Sequence, residues 1–226
     1  MSLHIAITQR VVKNASYAER RDALSQEWAS YLHDILPEAI LVPLPNHPGV
    51  VAKWVEAIKI DGAILSGGNS WGEAPERDAT ELELIACCRA AMIPLLGVCR
   101  GIQVLNKLFG GKVQPDLMAL NKTGHVACNH KVKLTGSPFI GFADGRSDII
   151  TNSFHDCGIL QRDVAPQLIP FAETDDGVVE GIFHKNEPII ALQWHPERVG
   201  QCADFDRQLI KKLFRNGKFW TDLQKD

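Results

Sequence analysis

Cys99 stands between Gly97 and Gly101, where an apolar run from Pro94 to Val98 meets a stretch with Ile102, Leu105 and Phe109 at helical spacing. A strand that turns at once into a helix needs a small residue two positions before and after the turn, because anything larger meets the neighbouring backbone. The residue at the tip is then held in a strained conformation with its side chain in the open, a nucleophile elbow with sulfur in place of oxygen. Backbone N–H groups at the helix start favour a thiolate there. Taken alone, the pattern also fits a buried structural cysteine. A nucleophilic thiol needs an imidazole to take its proton, and the imidazole needs a group to orient it. His195 and Glu197 supply both, two residues apart across Pro196, directly after the apolar run Pro188 to Trp194. Gly67-Gly68 ends a further apolar run, Asp61 to Ser66. Those glycines can leave N–H groups pointing into a site, or form a tight turn only. The three features together point to a catalytic cysteine.

The elements that must position these residues follow from periodicity. Strands are expected at Leu3–Thr8, Ala39–Leu44, Asp61–Ser66 and Pro94–Val98. Ser16-Tyr17-Ala18-Glu19 fits a capping box opening a helix with Tyr17, Leu24, Trp28, Leu32 and Ile35 on one face, stopped by Pro37. Arg10 to Asn14 reads as a polar loop before it. Val50–Ile58 and Arg77–Met92 read as further helices. Strands alternating with helices argue for an α/β fold, a mostly parallel central sheet flanked by helices, in which ligands bind at the carboxyl ends of the strands. Arg10, Gly67, Gly68 and Cys99 all fall at such ends. Beyond Gly110-Gly111 the texture becomes antiparallel: His130–Leu134, Ile149–Ser153, Leu168–Ala172, and a hairpin of Val178–Phe183 with Pro188–Trp194. A last helix is expected over Ala203–Arg215.

Composition narrows the class. The 226 residues carry a net charge of −3, with 45% hydrophobic and 23% charged residues, which is ordinary for a globular chain. The whole chain, 1–226, is expected to form a single domain. No basic run exceeds two residues, so nucleic acid is excluded as a bulk electrostatic partner. No apolar segment is long enough for a membrane helix, and the N-terminus lacks a signal-peptide pattern. The chain is therefore expected in the cytoplasm, with its six cysteines as thiols. His125 and His130 are five residues apart, but no carboxylate or cysteine ligand accompanies them at metal-binding spacing. They are read as strand and turn packing, and no metal or cofactor is expected.

The segments G-V-C-R-G-I-Q, L-S-G-G, Gly124-His125 with His130, N-S-F-H and Q-W-H-P-E occur in the order found in the class I glutamine amidotransferase-like superfamily. Within it the chain resembles the γ-glutamyl hydrolases of the peptidase C26 group over nearly its whole length. I-T-Q-R-x-x-x-N-x-S-Y-x-E-R (Ile7 to Arg20), Trp28 and S-G-G-N are similar to the branch that hydrolyses γ-glutamyl-CDP-amidate in capsule phosphoramidate synthesis. The resemblance implies a Cys-dependent hydrolase of a γ-glutamyl C–N bond. Cys99 would form a glutamyl thioester, His195 would shuttle the proton and Glu197 would orient it. The N–H groups of Gly68 (or Gly67) and Arg100 would form the oxyanion hole. Gln103 and Asn152, with Ser153, Phe154 and His155, would hold the glutamyl ends. Arg10 and Lys13 would face an anionic, nucleotide-linked leaving group. The same residues also suit a glutaminase that delivers ammonia to a synthase partner, or a hydrolase of another γ-glutamyl amine such as γ-glutamyl-GABA. The sequence leaves open whether a protein partner exists.

Overall fold

In the computed structural model, residues 2–198, 200 and 202–220 are described; residues 1, 199, 201 and 221–226, which the one-domain expectation also covers, lie outside the described residues. The chain opens with β1 (Leu3–Thr8), β2 (Arg10–Lys13), β3 (Arg20–Ala23), α1 (Glu27–Ile35), β4 (Ala39–Leu44), α2 (Val51–Ile58), β5 (Gly62–Leu65), α3 (Pro75–Ala91), β6 (Leu95–Val98) and α4 (Arg100–Leu108). Then follow β7 (Cys128–Leu134), α5 (Ser137–Phe142), β8 (Asp148–Ser153), β9 (Ile159–Leu160), β10 (Leu168–Thr174), β11 (Val178–His184), β12 (Ile189–Leu192) and α6 (Ala203–Asn216).

One sheet joins both textures in the order β4-β1-β5-β6-β12-β11-β10-β7-β8, with β9 beside β11. From β4 to β12 every pairing is parallel; from β12 to β8 every pairing is antiparallel. The expected antiparallel section is therefore continuous with the parallel one. Alternation within the strands explains the layers. Ile5, Ile7, Ile64, Leu96, Val98, Ile190 and Leu192 pack on one face with Trp28, Leu32 and Ile35 of α1 and Phe205, Leu209 and Leu213 of α6. Ala6, Ala63, Leu65, Leu95, Ile189 and Ala191 pack on the other with residues of α2, α3 and α4. Burial on both faces is why these strands read as unbroken apolar runs.

The strand directions bring separate chain ends to one edge. β1, β5, β6 and β12 all deliver their carboxyl ends there. Because the direction alternates beyond β12, β8 also ends at that edge, whereas β7 and β11 begin at it. Among the described residues no helix is long and apolar enough to cross a membrane, and all six cysteines are free thiols.

One local expectation fails. The capping-box segment does not start a helix. Instead β2 and β3 pair as a small antiparallel sheet with Arg10 opposite Ala23 and Lys13 opposite Arg20. Asn14 Oδ1 accepts from the Ser16 backbone at 2.9 Å, bending the chain back before a helix can begin. Tertiary partners then hold the hairpin. The Asn69 side chain clasps Val11 through both backbone groups at 2.8 and 3.0 Å, Asp22 accepts from Asn46, and Arg20 pairs with Glu76. Tyr17, expected on a buried helix face, is exposed. The helix begins only at Glu27, where Trp28, Leu32 and Ile35 are buried as their spacing requires.

Candidate active site

The elbow has the geometry its glycines require. Cys99 has φ 53° and ψ −99° at the entrance to α4, a conformation that typically costs an L-residue about 1–3 kcal/mol. A Cβ on Gly97 would lie 2.9 Å from the Gly101 carbonyl carbon, and one on Gly101 would lie 2.6 Å from the Leu65 carbonyl oxygen. Neither backbone can move aside without disrupting the β5–β6–α4 junction, so the spacing G-x-C-x-G is steric.

His195 emerges from β12 beside this turn. Its Nδ1 lies 2.7 Å from Glu197 Oε1, so Nδ1–H donates to the carboxylate and leaves Nε2 with the lone pair. A Cβ on Gly67 would fall 2.9 Å from His195 Cε1 and 3.5 Å from Cys99 Cβ. Thus Gly67 lies against both. Gly68 has φ 103° and runs against Arg10, whose Cβ would be 2.8 Å from a Gly68 side chain. A cavity of about 530 Å³ takes in Cys99, His195, Glu197, Gly67, Gly68, Arg100, Gln103, Phe154, His155 and Arg10.

Burial pushes the Cys99 thiol up to about 12, aided by Cys157 and Glu197; the Arg100 backbone N–H opposes the shift without reversing it. Desolvation is the largest influence on the Cys99 thiol and opposes the thiolate that the helix start favours.

Two other expected contacts differ. Asn152 does not reach the cavity: its Nδ2 donates to the His195 carbonyl at 2.8 Å and its Oδ1 accepts from the His195 N–H at 2.9 Å. The Ser153 hydroxyl is buried and donates to the His125 carbonyl at 2.7 Å. Both side chains are engaged by backbone, and neither lines the cavity. Lys13 lines an adjoining groove with Arg10, Arg20 and Asn69, outside the main cavity. Phe154 borders the cavity with Arg198 stacked over its ring at 4.4 Å. Gln103 lines it too, and its Nε2 donates to Gln193 Oε1 at 3.3 Å. Sequence reasoning missed Arg198, Asn69, Asp156 and Cys157 as cavity residues. Asn69 closes the S-G-G-N motif, and Asp156 and Arg198 directly follow N-S-F-H and Q-W-H-P-E.

Behind the elbow lies a buried ionic cluster. Arg77 donates to Glu81 Oε1 at 2.9 Å and to the Ser66 and Gly67 carbonyls at 2.6 and 3.1 Å. Arg100 pairs with both Glu81 and Asp78, and Thr8 Oγ1 donates to Glu81 at 2.9 Å. Glu81 therefore ties the Gly67-Gly68 turn to the residue after Cys99. Helical spacing on α3 showed its apolar stripe, but not that its charged residues are also buried.

On the antiparallel side, His125, His130 and His155 converge on Glu180 of β11. Sequence spacing showed no carboxylate beside His125 and His130, but Glu180 lies 3.7 and 3.6 Å from them across the sheet. His155 borders the cavity, but its imidazole is buried against Glu180, not presented to a ligand. Burial pushes the Glu180 carboxyl up, but contacts from His130 and His155 outweigh it and hold it down to about 2.

The fold and the elbow together define the class. The peptidase C26 family model matches residues 4–197, and the chain belongs to that family. Relatives agree. The chain is 30% identical over 218 residues to a γ-glutamyl-CDP-amidate hydrolase of Campylobacter jejuni, covering 94% of this chain and 98% of that one. It is 32% identical over 180 residues to a glutamine amidotransferase-like protein of Lactococcus lactis, covering 70% and 74%. A crystal structure described as a GMP synthase subunit from Thermoplasma acidophilum superposes with a TM-score of 0.70 at 21% identity, covering 95% of this chain and 94% of that one. That likeness bears on the fold alone: the class I glutamine amidotransferase architecture.

Proposed function

We propose that the chain hydrolyses a γ-glutamyl C–N bond through a thioester on Cys99. The observation that carries this is the strained Cys99 beside an imidazole whose Nδ1 is 2.7 Å from a buried carboxylate. His195 Nε2 takes the thiol proton as general base while sulfur attacks the γ-carbonyl. The negative charge passes to the carbonyl oxygen, facing the N–H groups of Arg100 and Gly68 (or Gly67). Losing one such donor typically costs ~2.7–4 kcal/mol of transition-state stabilisation. Collapse breaks the C–N bond, and the imidazolium gives its proton to the departing nitrogen. A water then attacks the thioester, with His195 taking its proton and returning it to sulfur as glutamate leaves. Glu197 keeps Nδ1–H pointed inward and balances the imidazolium.

For the leaving group we favour a nucleotide diphosphoramidate, so the substrate class is γ-glutamyl-CDP-amidate. Arg10 borders both the catalytic cavity and the groove that carries Lys13 and Arg20. Guanidinium groups suit phosphate through paired hydrogen bonds. The full-length similarity to the Campylobacter hydrolase supports the same choice. Arg10→Ala is expected to raise KM for γ-glutamyl-CDP-amidate at least about tenfold while leaving a simple γ-glutamyl amide nearly unaffected, as read by glutamate release. An equal loss on both substrates would refute the assignment.

A second reading is a glutaminase that delivers ammonia to a synthase. It is favoured by 32% identity over 144 residues to an anthranilate synthase component 2 of Mycobacterium tuberculosis, covering 62% of this chain and 56% of that one. Rapid hydrolysis of free glutamine, with none of γ-glutamyl-CDP-amidate, would select it.

A further inference from the structure

We propose that His125, His130, His155 and Glu180 form a site for a divalent transition-metal ion, Zn²⁺ in the first instance. Glu180 is fully buried on β11, and His125 and His155 are 3% and 4% exposed. His125 Nδ1, His130 Nε2, His155 Nε2 and both Glu180 carboxylate oxygens are buried and have no hydrogen-bond partner. Five orphaned atoms aimed at one another are costly in a folded core. Their spacing explains why they do not satisfy each other. The imidazole nitrogens lie 3.7, 3.6 and 3.3 Å from the nearest Glu180 oxygen, too long or too poorly aligned for hydrogen bonds. Ligands about 2.0–2.1 Å from a tetrahedral Zn²⁺ stand about 3.3 Å from one another, which is close to this spacing.

The outer nitrogens are arranged to match. His155 Nδ1 is 3.0 Å from the Cys157 carbonyl, which can only accept, so its Nε2 keeps the lone pair. His125 Nε2 faces Asp176 Oδ2 at 3.3 Å, which leaves Nδ1 as the bare nitrogen. The carbonyl behind His155 and the carboxylate behind His125 are the usual outer shell of a metal-ligating histidine. Imidazole nitrogen with one carboxylate suits Zn²⁺ and its first-row neighbours rather than Ca²⁺ or Mg²⁺. The ligand atoms of His125, His155 and Glu180 all lie within 4.8 Å of one another; His130 Nε2, 3.6 Å from the other Glu180 oxygen, stands beside them as the fourth donor, and a site with four protein donors is structural. It would pin the segment from His125 to His130 and the segment after β8 to β11. The latter segment supplies Phe154, Asp156 and Cys157 to the cavity wall.

The test uses tag-free full-length protein stripped with a chelator, incubated with Zn²⁺ or Co²⁺, and dialysed. Elemental analysis should find one ion per chain, Zn²⁺ should raise the thermal midpoint by roughly 10 °C, and Co²⁺ should give a tetrahedral visible spectrum. The Cys99→Ala protein should behave identically, which separates this site from the catalytic thiol. Glu180→Gln and His130→Ala should lose the Co²⁺ spectrum. Fewer than about one ion per ten chains with an unchanged midpoint in the wild-type protein, or binding that vanishes in Cys99→Ala, would overturn the proposal; neither result depends on the ligand variants folding.

Discussion

Two buried clusters of ionisable side chains flank the catalytic cavity, and they are built on opposite principles. On the parallel side, Arg77, Arg100, Glu81 and Asp78 oppose two cations with two anions, supplemented by Thr8 and the Ser66 and Gly67 carbonyls. Only Arg100 Nε lacks a partner there. On the antiparallel side, His125, His130, His155 and Glu180 leave five polar atoms unpaired. The first cluster is closed by its own hydrogen bonds and stiffens the Gly67-Gly68 turn and the Cys99 elbow. The second is shaped for something the chain does not itself supply. Buried charge of similar density can thus mean a finished scaffold or a receptor, and the count of orphaned atoms separates the two.

The sharpest way to break the comparison is at its closed side. Glu81→Gln removes the carboxylate that bridges Arg77 and Arg100. Breaking a buried pair from one side costs roughly 3–5 kcal/mol, so calorimetry should record a thermal midpoint lowered by about 6–20 °C. Zinc should not restore it. A drop of under about 2 °C would mean the cluster does not brace the turn and elbow.

Between the clusters, Asn152 clamps His195 by both backbone groups. Asn152→Ala should therefore lower kcat by roughly 10²-fold through misplacement of the imidazole, with KM and the circular dichroism spectrum little changed. If KM carried the loss instead, Asn152 would be a substrate contact, as its place in N-S-F-H first implied.

The smallest expected effect lies under the catalytic strand. Burial pushes the Asp206 carboxyl up to about 7, against hydrogen bonds from Trp194 and Cys202. Its folded pKa stands above the usual carboxylate range, so its contribution to stability is complete in acid and is lost as pH rises through about 7. Asp206→Asn should raise the thermal midpoint at pH 8 by a few degrees more than at pH 5, and change it little near pH 3, below the unfolded value. An equal change at pH 8 and pH 5 would show that the carboxyl titrates normally.

The geometry around Cys99 was legible in sequence because its constraints are local and steric. Gly97 and Gly101 surround Cys99 within one strand–helix turn, and Glu197 is two residues from His195. Continuous apolar runs marked the parallel strands because both faces are buried. The hairpin of β2 and β3 was not legible. S-x-x-E at Ser16 is a sound local helix signal, overridden by Asn14, Asn69, Asn46 and Glu76, which act from the same loop or from far along the chain. Nor was the histidine cluster, whose members come from a loop, β7, the end of β8 and β11. No spacing rule connects His125 to Glu180; only the reversal of strand direction beyond β12 does.

The central claim is that Cys99 carries the glutamyl group during turnover. Wild-type protein mixed with γ-glutamyl-CDP-amidate, quenched in acid within one turnover and digested, should show the Cys99 peptide heavier by one glutamyl residue, a mass lost on longer incubation. Cys99→Ala should show neither the adduct nor measurable glutamate release. Undiminished glutamate release by Cys99→Ala, or the adduct on another residue, would contradict the account.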